Sequence, residues 1–175
     1  MIGHVLPLDR RSRRRTLSRG LYRFANSQSM CSQFKVDILN GLHAFGSSVV
    51  RGATTKDSYK AALYLVSASR GASDTIYSAT GEVSGTGYTA GGVAITNATV
   101  PTLDGTTAIW TPSASFVFTT VTLATAFDAV LVYNDTSATK LAVSVHTFGS
   151  QTVTAGTFTL TMPANAAATA LIQIA

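Results

Sequence analysis

Phe116-Val117-Phe118-Thr119-Thr120-Val121-Thr122-Leu123-Ala124 is followed, after a short gap, by Ala129-Val130-Leu131-Val132-Tyr133. The first stretch is rich in β-branched and aromatic residues, which fit a pleated, half-buried surface. The second is apolar throughout and reads as a strand buried on both faces. Asn134-Asp135-Thr136-Ser137 has the chemistry of a turn.

Strand signals continue on both sides. Downstream, Leu141–Phe148 alternates: Leu141, Val143 and Val145 face one way, and Ala142, Ser144 and His146 the other. Gly149-Ser150 reads as a turn, and Gln151–Thr154 with Thr157–Met162 as a pair around Ala155-Gly156. Thr169–Ile174 is the last strand, expected deep in a sheet. Upstream lie Ala108–Thr111, Val93–Thr99 and Tyr59–Val66. About eight short strands at this spacing predict a mainly β fold, an antiparallel β-sandwich of which the jelly roll is one form.

Before the strands, Phe34, Ile38 and Leu42 recur every fourth residue. This predicts one short helix over Met30–Phe45, capped by Ser29 or Ser32 and stopped by Gly41 or Gly46. Cys31 falls in this pattern and is read as a buried small hydrophobe. A lone cysteine excludes a disulfide within the chain.

The net charge of +5 is unevenly spread. Residues 1–29 carry Arg10, Arg11, Arg13, Arg14, Arg15, Arg19 and Arg23 against the single acid Asp9. Residues 30–175 hold six basic and seven acidic side chains, so the basicity belongs to the arm. The chain therefore divides into a basic extended arm, 1–29, and a β-sandwich domain with a leading helix, 30–175. The arm is read as a strap docking on a partner through arginine–carboxylate pairs. Nucleic-acid contact, organelle targeting and an inert leader before Met30 are the alternatives. No apolar run approaches membrane-spanning length.

Charged residues make up only 12% of the chain, against roughly 25% in ordinary soluble domains. A surface of Thr, Ala, Ser and Gly is covered by neighbours at low desolvation cost, which favours a subunit of a large assembly. Chemistry-bearing groups are sparse. His4, His43 and His146 stand apart from one another and from any metal-ligand spacing, and His146 reads as a surface histidine. The acids are scattered singly, mostly in turns. Gly85-Thr86-Gly87 and Gly91-Gly92 lead into a strand rather than a helix, so they lack the context of a phosphate loop. The chain reads as a building block without catalytic, cofactor or metal residues.

The six glycines between Gly71 and Gly92 mark a long surface excursion over 67–92, and loops of that length are usually functional. Tyr77 and Tyr88 within it are candidate partner-binding residues, since tyrosine supplies rigid contact area and a hydrogen bond. Together with the arm arginines they form the expected binding set. Trp110 is read as packing.

The block Tyr77-Ser78-Ala79-Thr80-Gly81-Glu82-Val83-Ser84-Gly85-Thr86-Gly87-Tyr88-Thr89-Ala90-Gly91-Gly92 resembles a family of small structural proteins of tailed bacteriophages. So do Phe34–Gly41, Ala61–Tyr64, Val130–Asn134 and Ala170–Ala175, a likeness covering roughly residues 30–175. The arm departs from that pattern. The resemblance implies a non-enzymatic virion component. The leading expectation is a capsid decoration, or cement, protein that bridges major capsid protein subunits. A homo-oligomer is expected with it, a trimer being one closed symmetry that fits. The alternatives are a neck or tail component, and a head-fibre or carbohydrate-binding module using Tyr77 and Tyr88.

Overall fold

The computed structural model describes residues 26–31, 34, 38, 41–45, 56–96 and 99–175. The fold is mainly β, an antiparallel sandwich of two sheets. In chain order the strands are β1 (Ser29–Met30), β2 (Tyr59–Leu65), β3 (Val93–Ala94), β4 (Thr102–Asp104), β5 (Thr107–Trp110), β6 (Phe116–Asn134), β7 (Ala142–Leu160) and β8 (Ile172–Ile174). The larger sheet runs β1-β7-β6-β2-β3 and the smaller β4-β5-β8.

The dominant element is the β6–β7 hairpin. Each strand has 19 residues, about 60 Å of extended chain. The sequence reads this region as two strands followed by three; the structure merges them into two. Gly149-Ser150 and Ala155-Gly156 do not reverse the chain, and the expected pair around Ala155-Gly156 does not form. Gly156 lies opposite Val121, and Val153 opposite Leu123. The small residues are absorbed as irregularities, with four register shifts between Phe118 and Ala129 and positive φ at Thr120 (53°) and Ala155 (45°). Such bulges bend a ribbon without ending it.

The half of the hairpin near its turn is the centre of the sandwich. There β2 pairs with β6 from Tyr59↔Asn134 to Leu65↔Phe127. Residues 129–133 are all buried, as their unbroken apolar run predicts, and Asn134 is buried with them. Tyr59, Tyr64, Phe34, Phe127, Leu63 and Leu131 are the largest wholly buried side chains around it. Each such side chain contributes about 1.5–3 kcal/mol by leaving water. Trp110 and Ile172 join the same core from the smaller sheet, with Trp110 tilted against Phe45 at 4.7 Å.

Three expectations need correction. Met30 does not start the helix: it pairs with Ser144 in β1, and Ser29 pairs with Val145. Asn26 and Ser27 bond into the body as well, through Asn26 Nδ2 to the Leu65 carbonyl and Ser27 N–H to the Arg70 carbonyl. The boundary expected after Ser29 thus falls inside a strand. Phe34 and Ile38 are helical, Gly41 N–H bonds the Ile38 carbonyl as a helix stop, and residues 42–45 are non-helical. Second, among the described residues β8 lies at an edge of the smaller sheet and pairs with β5 alone. Third, His146 is largely buried rather than a surface residue, since both faces of Ala142–Val145 are covered.

Candidate functional site

Glu82 organises the Gly-rich loop. Residues 81–83 run along β2: the Leu65 N–H bonds the Gly81 carbonyl and the Val83 N–H bonds the Leu63 carbonyl. This aims the Glu82 carboxylate at the loop's own interior. Its Oε2 accepts from the Tyr77 hydroxyl at 2.5 Å. Its Oε1 accepts from the Tyr88 hydroxyl and from the Gly91 N–H, both at 2.7 Å. The Tyr88 oxygen in turn accepts from the Leu63 N–H at 3.1 Å, and the Tyr133 hydroxyl donates to the Gly91 carbonyl at 2.8 Å. Tyr64 donates to the Ser78 carbonyl at 2.6 Å.

Burial, reinforced by the bond to Glu82, pushes the Tyr77 phenol up to about 12 and the Tyr88 phenol up as well. Both stay protonated donors at any physiological pH. Their rings are packed too: Tyr77 stacks on Tyr133 at 4.7 Å and Tyr88 on Phe118 at 5.9 Å. The structure thus brings together the two tyrosines singled out from the sequence, in a clasp that spends their hydroxyls internally. Arg10, Arg11, Arg13, Arg14, Arg15, Arg19 and Arg23 lie outside the described residues.

Beyond the clasp, the loop covers one edge of the hairpin's far half. Thr86 bridges to Thr122, whose N–H bonds the Thr86 carbonyl at 2.9 Å. Beneath it Phe118, Phe127, Phe148 and Phe158 form an aromatic cluster, with Phe127 and Phe158 edge-on at 5.0 Å. The outward side chains of β7 here are Thr, Ser, Gln and Ala, and they are exposed.

Asp57 is buried and accepts from the Ala44 N–H and from Asn134 Nδ2, both at 2.9 Å, so it ties the segment before β2 to the hairpin turn. Ser144 Oγ lies 2.8 Å from His146 Nε2. Burial holds this imidazole down at about 4, and so neutral. The Cys31 thiol is fully buried and pushed up to about 12, chiefly by burial, as its apolar pattern implies. Among the described residues no three His, Cys, Asp or Glu side chains come together as a metal site, and no helix is long and apolar enough to cross a membrane.

What this region presents outward is therefore backbone and small uncharged side chains. Glu82 as the hub escaped the sequence reading, because an isolated acid among glycines looks like one more turn residue. Its spacing of five and six residues from the two tyrosines was the available signal. Compared with known proteins, the chain matches no family model, no curated protein and no solved structure.

Proposed function

We propose that this protein is a non-enzymatic structural subunit of a tailed-phage particle, a decoration protein that binds across major capsid protein boundaries as a homo-oligomer. One observation carries the reading. After Lys140 the chain contains no Asp, Glu, Lys or Arg, and this stretch includes the exposed far half of β7. Covering such a surface costs little desolvation, whereas a freely diffusing protein keeps charge there for solubility. An interface of about 1,200–2,000 Å² on it is of the size that holds stable complexes.

The internal clasp supports the same reading. Tyrosines whose hydroxyls already bond Glu82 are poor recognition groups for sugars, and they make the loop a rigid part of the scaffold. In this proposal the arm arginines pair with carboxylates of the capsid surface.

The test is copy number per particle, by quantitative mass spectrometry relative to the major capsid protein. Copies comparable with the capsid protein support decoration. A dozen or fewer places the protein in the neck or tail, and absence from the particle ends the structural reading.

A further inference from the structure

Among the described residues, the outer edge of β7 is paired at its start and open beyond it. Tyr77 N–H bonds the Lys140 carbonyl and Ala142 N–H bonds the Thr75 carbonyl. Cys31 N–H then bonds the Val143 carbonyl, and β1 pairs with Ser144 and Val145. From Thr147 to Leu160 no strand among the described residues lies on that edge. Just before β1, Asn26 reaches Leu65 and Asp128 on other strands. The opposite edge of the same ribbon, on β6, is covered by the Gly-rich loop through Thr86 and Thr122.

An open edge presents a row of unpaired N–H and C=O groups, and soluble proteins guard such rows with charge, proline, bulges or brevity. Of these guards Thr147–Leu160 has only the bulge: it contains no charged residue and no proline, and it is long. Its bulge bends it but leaves it extended on both sides.

We propose that this edge is a self-association surface on which β7 of a second copy pairs antiparallel across a two-fold axis. The occupant follows from the other edges of the described fold. β3 has two residues, and β4 and β8 have three each, too short to cover Thr147–Leu160. Only another β7 offers an edge of equal length, and with the two-fold axis near Ala155 the mate's bend falls opposite its own. An isologous contact of this kind closes on itself and needs no second patch. Because the edge is uncharged, superposing it on itself sets no like charges opposite each other. Alternate residues would present both backbone groups to the mate, giving on the order of ten hydrogen bonds. A basic arm or an acidic partner would find no countercharge here.

This inference does not rest on the virion assignment, because it is read on the purified full-length chain alone. Sedimentation equilibrium across micromolar concentrations is expected to show a dimer. Thr154→Lys, at an exposed position on the edge strand, is expected to raise the dimer Kd at least tenfold. Val100→Lys, exposed and outside the sheet that contains β7, is expected to leave it unchanged. Single cysteines at Gln151, Thr152, Thr154 and Thr157 should form a disulfide dimer at one position or two alternate positions, where the axis lies. A chain that stays monomeric at about 50 µM, where any Kd in the low micromolar range would show as dimer, overturns the proposal. So does a dimer indifferent to Thr154→Lys. A benzophenone placed on a cysteine at 154 that captures residues 1–25 instead of β7 also overturns it, assigning the edge to the arm.

Discussion

Tyr88 donates its hydroxyl proton to Glu82 at 2.7 Å while its oxygen accepts the Leu63 N–H, so one phenol links the Gly-rich loop to the central strand β2. Removing the carboxylate orphans two tyrosine hydroxyls and the Gly91 N–H together. Glu82→Ala is expected to cost about 3 kcal/mol, since a hydrogen bond to a charged group is worth more than a neutral one. Glu82→Gln keeps an acceptor for Tyr88 and Gly91 and turns an amide toward Tyr77, so it should cost about 1 kcal/mol. Urea denaturation followed by tryptophan fluorescence reads both. Equal losses in the two variants would mean that the negative charge alone holds the clasp, with the neutral amide replacing none of it.

Gly92 sits against Ala61 in a way no other residue can. Its φ is +75°, and a Cβ there would stand 1.9 Å from the Ala61 carbonyl oxygen. Gly92→Ala must therefore break the approach of 91–93 to β2 as well as bear a left-handed backbone. Gly105, in the β4–β5 turn, has φ +62° with nothing within 4 Å of its Cβ position. Gly105→Ala carries only the backbone cost, about 1 kcal/mol, and Gly92→Ala should lose at least about 3 kcal/mol. Comparing the two urea midpoints separates crowding from strain.

The sequence made the sandwich legible because strand residues of this kind leave a strong local signal. Ala129–Tyr133 is buried on both faces as its unbroken apolar run implies, and β2 is displaced from its expected bounds by a single residue at Leu65. The misreadings have one physical origin. A glycine or alanine in a bulge and one in a tight turn look alike in sequence, so Gly149, Ala155 and Gly156 read as chain reversals. Which it is depends on whether a partner strand continues alongside, and β6 does. Met30 was misplaced for the complementary reason: a two-residue strand has no period, and only Ser144 and Val145 across the sheet define it. The candidate site was half legible. Tyr77 and Tyr88 stood out by type, but the acid that commits them inward did not.

His146 gives the fold a pH response of defined sign. Its folded value of about 4 lies below the ordinary 6.5, so the unfolded chain binds a proton that the folded chain refuses. The contribution of neutral His146 is fully present above about pH 6.5 and is lost as pH falls from there toward 4. The loss approaches about 3 kcal/mol, with no further change from this group below that window. His146→Gln can still bond Ser144 but cannot titrate. The difference in unfolding free energy between the two proteins should therefore slope between pH 6.5 and 4 and be flat above. Parallel pH profiles would show that the imidazole protonates without opposition in the folded chain.

Ala155 carries the bulge that bends β7. At φ +45° it occupies a region in which a Cβ crowds the following carbonyl, and its N–H is held by Thr122 Oγ1 at 3.0 Å. Alanine there costs about 1 kcal/mol relative to a residue that tolerates the left-handed region. Ala155→Asn should recover part of this and raise the melting temperature by about 1–3 °C in a chain of this size. Ala155→Gly relieves the same strain but loosens the unfolded chain by about 0.4–1 kcal/mol, so it should be near neutral. Ala155→Val, branched at Cβ, should be the least stable of the series. The order Asn above Gly, Gly above Val, is what the bulge requires. If β7 ran straight through Ala155, valine would be the best strand former of the three and the order would invert.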